Sequence, residues 1–300
     1  MANPALTDNL LSFAIPAKDC RGRIVRLGPA LDEILAAHDY PSMIRNVLAE
    51  AVCLTALLGG LLKDDGAQLT LQAQTEAGVI RLLACDYKDG ALRGYVDYDR
   101  ERFASQAIDP TLASLFGKGY LAITFDLPAP RGRNQGIVPL EGASLAEAVQ
   151  QYFFQSEQIP TLIRVAVGEN SGQISAGGLL VQHLPEGEEG RERLHVRLDH
   201  PEWEHIEIMG GSVQASELTE TDLPLEDVLW RLFSESDEVR VLSGKPCVKG
   251  CRCNEDHIRG VIARFPKEDK KDMVDDDGNI AIDCAFCSKK FTITSASLNN

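Results

Sequence analysis

No apolar run in this 300-residue chain reaches the ~18–20 residues that a bilayer crossing requires. The short apolar patch Leu10–Ile15 has no basic residue ahead of it, so the N-terminus does not read as a signal peptide. Excess positive charge is missing too: 30 Lys and Arg stand against 45 Asp and Glu, a net of −15. Duplex-binding proteins gather Lys and Arg on one face, because phosphate neutralisation supplies much of their affinity. Nucleic acid is therefore not expected as a main partner, and neither is a membrane. Walker A, G-x-S-x-G and H-E-x-x-H patterns are all absent. These absences point to a cytosolic protein, in a compartment where thiols stay reduced.

What is present suits a large domain with something smaller attached: 44% hydrophobic and 25% charged residues. Leu10–Ile15 and Arg23–Leu27 read as short strands. A long helix should start near Pro41, at a first helical position, with an apolar stripe of Ile44, Val47, Leu48, Ala51, Val52, Leu58 and Leu62. Gln68–Gln74, Val79–Cys85 and Ala91–Asp97 follow as an antiparallel meander, divided by turn signals. Tyr120–Leu127 alternates cleanly. Ser144 with Glu147 reads as a capping box opening a helix to about Phe154. Thr161–Val167 and Leu179–Leu184 close the segment. Strands and helices in runs, without a βαβ rhythm, give an α+β class, with a core over residues 1–184.

Past Pro185 the texture changes. From Leu184 to Pro246 sixteen acidic residues face six basic ones, a net of −10, whereas 247–300 is balanced at nine of each. A helix around Leu225–Phe233 offers Val228, Leu229, Leu232 and Phe233, with Trp230 beside them. Residues 185–246 thus read as an acidic linker whose folding depends on docking those side chains, Trp230 included, against a neighbour.

Five of the eight cysteines fall in the last 54 residues: Cys247, Cys251, Cys253, Cys284 and Cys287. Crowding of this kind in a reduced compartment indicates metal or redox chemistry rather than structural disulfides. Cys251-x-Cys253 and Cys284-x-x-Cys287 are thirty residues apart, and four thiolates from two short loops can surround Zn²⁺ at ~2.3 Å. Between them, Asp256–Phe265 has helical spacing, Pro266 marks its end, and Asp277-Gly278 turns into a strand through Ile280 and Ile282. A 247–300 unit is small enough that metal binding would supply much of its folding energy. The C-x-C half is unusual, since a disulfide across one residue closes a small, strained ring, and strained disulfides are the labile ones. The site can act as metal clip and redox trigger alike.

Further motifs run along the whole chain: His38-Asp-Tyr-Pro41, Leu57-Leu-Gly-Gly-Leu-Leu-Lys63, Leu92-Arg-Gly-Tyr95, Gly136-Ile-Val-Pro-Leu-Glu141, Tyr152-Phe-Phe-Gln-Ser-Glu-Gln158, Ala176-Gly-Gly178 and Val228-Leu-Trp-Arg-Leu232. With the cysteine pairs, they make the sequence resemble the 33-kDa heat-shock chaperone family, the redox-regulated holdases also called 33 kDa chaperonins. The resemblance implies an α+β core, a middle linker and a C-terminal zinc domain. It implies an inactive, zinc-bound reduced monomer with Cys251, Cys253, Cys284 and Cys287 as ligands. It further implies that oxidation turns each pair into a disulfide, releases zinc, loosens the linker and yields a dimer that holds unfolding client proteins without ATP.

Cys247 is a fifth thiol near the cluster and reads as a bystander on the linker. Cys20, Cys53 and Cys85 sit within strand or helix patterns and behave as small apolar residues. His257 has no vacancy to fill beside four thiolates. Asp275-Asp-Asp-Gly278 resembles a calcium loop, but Met273 and Cys284 occupy its end ligand positions, so it reads as a turn. Arg131–Gly136 reads as a solvent-facing loop. Two other functions compete with the holdase. A thiol-disulfide oxidoreductase would need Cys284-x-x-Cys287 in a thioredoxin-like strand–helix context, and a zinc-ribbon nucleic-acid binder would need basic charge that this chain lacks.

Overall fold

Two apolar strands open the chain and pair as a hairpin: β1 (Asn9–Ile15) and β2 (Cys20–Leu27). The turn between them closes on Asp19 in the left-handed region (φ 48), which Asp tolerates better than most residues. The computed structural model describes residues 8–105, 111–170, 172–184 and 201–295. After β2 come α1 (Pro29–Leu35), α2 (Ser42–Gly59), β3 (Gln68–Thr75), β4 (Ile80–Lys88), β5 (Ala91–Tyr98), α3 (Arg100–Ser105) and α4 (Leu112–Phe116). Then follow β6 (Gly119–Asp126), β7 (Arg133–Pro139), α5 (Leu145–Tyr152), β8 (Thr161–Asn170) and β9 (Gln173–His183). The C-terminal third contains α6 (Pro201–Gly211), α7 (Ala215–Thr219), α8 (Leu225–Phe233), β10 (Arg240–Pro246) and β11 (Val248–Lys249). It ends with α9 (Glu255–Ala263), α10 (Lys267–Asp272), β12 (Asn279–Asp283) and β13 (Lys290–Thr294).

Among the described residues three sheets result, ordered β10-β1-β2-β9-β8, β11-β5-β4-β3-β6-β7 and β12-β13. The class is α+β as expected, and the meander β3-β4-β5 forms in register. The long helix α2 lies between the two large sheets, touching β2, β8 and β9 on one side and β3, β4 and β5 on the other. Its stripe is therefore wider than the sequence suggests: every residue from Ala51 to Gly59 is buried. Pro41 stands one position before the helix, as its N-cap. By length and composition α2 could cross a bilayer, yet 67% of its apolar window is buried inside the protein, which marks it as a core helix. The capping box at α5 is half formed: Ser144 accepts from the Glu147 N–H, but Glu147 turns to the N–H of Ala143 rather than of Ser144.

The five-stranded sheet is covered on both faces, which is why β9 is buried from Ile174 to His183. Gly177 and Gly178 make that possible: a Cβ at Gly177 would lie 2.0 Å from the Leu218 carbonyl, and one at Gly178 would meet Leu57 of α2. Over the outer face pack α6, α7 and α8, whose Trp203, Ile206, Leu218, Leu225, Val228, Leu229, Leu232 and Phe233 join Leu11, Phe13, Ile15, Ile24, Leu162, Leu179 and Val181 in a second core. The expectation for Trp230 is corrected here. It is 64% exposed, because the buried stripe of α8 runs 225, 228, 229, 232, 233 and leaves position 230 outside it.

One polar anchor fixes these helices. Arg26 on β2 is fully buried and donates to the carbonyls of Leu218 (2.8 Å), Leu223 (2.5 Å) and Glu217 (2.7 Å). Burial lowers its pKa to about 10, which leaves it charged at neutral pH and bonded to three carbonyl groups around α7.

Candidate functional site: a four-thiol centre docked on the core

Cys251 and Cys253 lie on the loop between β11 and α9, and Cys284 and Cys287 on the turn joining β12 to β13. Local chemistry shapes both loops. The Asn254 side chain caps α9 by accepting the His257 N–H (2.7 Å), which ends the C-x-C segment. In the hairpin the Cys284 carbonyl accepts from Cys287 and Ser288, and Ser288 takes a left-handed φ of 56, folding the two cysteines toward each other. Asp275 accepts the N–H groups of Asp277 and Asn279, so the acidic run is a turn, as expected.

The four sulfurs converge within 4.8 Å of one another. Cys251 is 3.3 Å from Cys253 and 3.6 Å from Cys284, and Cys253 is 3.4 Å from Cys287. A tetrahedral zinc with ~2.3 Å bonds would separate its sulfurs by roughly 3.8 Å, so the spacing suits one ion with modest expansion. The donor set suits it as well, since four soft thiolates, with no carboxylate or histidine joining the group among the described residues, form a closed, structural type of site. His257 is not part of the group, in keeping with the sequence.

Electrostatics make the cluster hungry for a cation. Burial pushes the Cys251 thiol up, but hydrogen bonds from the Cys253 N–H and the other three thiols outweigh it and bring it to about 7. Burial and the bonds to its sister thiols push Cys253 the other way, and Cys287 is raised too. One thiolate forms readily; those of Cys253 and Cys287 require a positive charge at the centre. By contrast Cys20 and Cys247 are pushed to about 12 by desolvation, and Cys53 and Cys85 rise as well. The thiolate is the oxidisable form, so Cys251 is the thiol most open to chemistry, and all four cysteines of the cluster are partly exposed while the other four are buried. Cys247 is no bystander on a linker: it is 2% exposed, packed in the main core, with its N–H on the Asp8 carbonyl (2.7 Å).

Apart from these sulfurs the small unit has little to hold it, a core of Ile258, Ile262, Ile280, Phe291 and Ile293. What ties it to the rest of the protein sits largely between and beside the cysteines themselves. Arg252, inside C-x-C, donates to Asp86 on β4 (3.0 Å), which also binds Arg93 and accepts the Thr70 hydroxyl. Phe286, inside C-x-x-C, packs edge-on against Tyr95 at 5.0 Å and lies under the Arg93 guanidinium at 4.0 Å. The Ala285 carbonyl is 2.7 Å from His38 Nε2, and the Ser288 hydroxyl donates to the Ala37 carbonyl (2.6 Å).

A family model described as "Hsp33 protein" matches residues 8–294. The chain belongs to the Hsp33 family. Among curated relatives, a 33 kDa chaperonin of Caulobacter vibrioides is 39% identical over 296 residues, spanning 96% of this chain and 95% of its own length. The 33 kDa chaperonin of Nitrosococcus oceani is 32% identical, over 95% of this chain and 90% of its own. A Thermotoga maritima crystal structure titled 33 kDa chaperonin (Heat shock protein 33 homolog) has the same fold, with a TM-score of 0.77 at 22% identity over 97% of this chain and 96% of that one. Hsp33 membership makes this a chaperone whose cysteine cluster could bind a metal. Its motifs acquire positions: His38, Arg93 and Tyr95 face the four-thiol centre, and Ala176-Gly-Gly178 is where α2 and α7 close on β9. Asp86 and Arg26 were missed, since a lone acid or base in a strand gives no sequence signal.

Proposed function

We propose that this protein is a redox-regulated, ATP-independent holdase that keeps unfolding client proteins from aggregating under oxidative stress. The observation carrying the reading is that the docking residues Arg252, Ala285 and Phe286 are inserted between the four thiols, so any change in the thiols moves the contacts to the core. Cys251, Cys253, Cys284 and Cys287 would hold Zn²⁺, which when bound cross-links the two loops and keeps the thiolates deprotonated. Peroxide takes two electrons from each pair of thiolates and two protons from solvent, giving a Cys251–Cys253 and a Cys284–Cys287 disulfide, with each peroxide leaving as two waters. Disulfide sulfurs cannot serve as thiolate ligands, so the five-residue core loses its clip and the docking fails. The division into 1–184, 185–246 and 247–300 then becomes functional: sensor at one end, platform at the other, acidic linker between. We read the oxidised form as a homodimer, the compartment as the cytoplasm, and the role as non-enzymatic, with neither nucleic acid nor membrane as partner. Zinc content and aggregation suppression measured on one sample, before and after peroxide, test this. Suppression that is equal in both states would reject the redox reading.

A further inference from the structure

β10 is a poor cover on a strand that needs one. It pairs along β1 from Asn9↔Pro246 to Ala14↔Arg240, with an irregularity between Leu10 and Ser12, and all seven of its residues are exposed. Its composition, with Arg240, Gly244, Lys245 and Pro246, is what natural edge strands use to discourage further pairing. The strand beneath is the reverse. β1 reads Asn-Leu-Leu-Ser-Phe-Ala-Ile, with no charge, proline or glycine, the type of segment that recruits other strands. It is also fixed in place: β2 holds its other edge, Leu10 enters the main core, and Leu11, Phe13 and Ile15 enter the second. β10 is the last segment on this sheet before the thiol loops, followed by Cys247, the two residues of β11 and Cys251.

We propose that the β10-side edge of β1 is a client-docking edge. When β10 lifts, an extended apolar segment of a non-native polypeptide adds antiparallel to β1 as the new outer strand. The proposal rests on the chaperone reading for its client and on linker release for access. The present occupant argues for the next: β10 shows that this edge accepts an antiparallel extended chain and makes almost no demand on its side chains. Attachment through backbone hydrogen bonds suits a protein that must hold many sequences. A client segment rich in Val, Ile or Phe is a better strand than Ser-Gly-Lys-Pro and displaces it. β10, tethered at both ends, returns at high local concentration once the small unit re-forms, ejecting the client.

Hydrogen exchange of residues 9–15 in the full chain tests this in two arms. One is peroxide-oxidised wild type. The other is reduced V241P/L242P, in which one of the two lost N–H groups faces β1, since successive strand N–H groups alternate in direction. The probe is carboxymethylated α-lactalbumin, permanently unfolded and without free thiols. Opening β10 should speed exchange in 9–15, and the probe should slow it again by about tenfold or more, as a reformed ladder does. Protection in the proline arm alone would support the edge while rejecting oxidation as its release. Probe bound without protection of 9–15 in either arm, or no speeding of 9–15 in either, would overturn the proposal. So would protection that appears without probe and grows with protein concentration, because the occupant would then be a second copy.

Discussion

Arg252 and Asp86, 166 positions apart, meet at 3.0 Å, and Asp86 is almost wholly buried. Arg252 stands between two candidate ligands, so this ion pair joins the thiol centre to the middle of the six-stranded sheet. Cutting one partner of a buried pair costs about 3–5 kcal/mol, and less here because Arg93 still neutralises Asp86. R252A should retain its metal yet show partial aggregation suppression while reduced. A reduced R252A as inactive as the wild type would remove the pair from the relay.

Metal content gives the next prediction. Purified reduced protein should hold one zinc per chain, and C284S should lose most of it, since three thiolates leave the site open. C247S should keep zinc, because Cys247 is buried in the main core and outside the sulfur cluster. Atomic absorption on the three proteins decides it.

Limited proteolysis should show the linker as the part that yields. Reduced protein should be cut slowly between Pro185 and Pro246, and oxidation should accelerate those cuts while 1–184 stays protected. R26M should do the same without oxidant. Three carbonyls, that of Leu218 buried and those of Leu223 and Glu217 partly so, would lose their donor, at about 1–3 kcal/mol for each buried group left unsatisfied. If oxidation opened the core first, the linker would not transmit the signal.

Acid titration offers an independent check on the core. Glu50 on α2 is raised above the usual carboxylate range, chiefly by burial, against hydrogen bonds from the Ala146 and Leu145 N–H groups. A raised acid favours its neutral form in the folded state. Its contribution is most favourable below the unfolded pKa and is lost as pH rises through the folded one. E50Q should therefore be more stable than wild type at pH 7, by about 2–4 °C per kcal/mol gained, and the difference should vanish below about pH 4. Thermal melts at the two pH values would show whether the gain has that sign.

Much of this architecture was legible. Alternation revealed β3 and β6 and turn signals set off β4 and β5, and the cysteine spacing revealed the thiol centre because two short loops can converge only in a few ways. The linker was read less well. α8 obeys the helical stripe beginning at Leu225, which places Trp230 outside it; its size, not its register, suggested burial. β10 has no strand signal at all, since Gly244, Lys245 and Pro246 argue against one and only the waiting edge of β1 makes it a strand. Asp86 and Arg26 depend on partners more than 160 positions away, which no local pattern records.

The burial of Cys247 turns the thiols into a gauge of how far the molecule has opened. Stripped of metal and kept reduced, the folded protein presents four partly exposed sulfurs to an alkylating reagent, and the other four are buried with raised pKa values. Peeling the chain back past β11 adds Cys247 as the fifth. Cys20, Cys53 and Cys85 react only after the sheets part from α2 and from the helices outside. Mass added per molecule thus counts stages of opening, and the step from four to five marks the moment the strand over β1 loses its anchor.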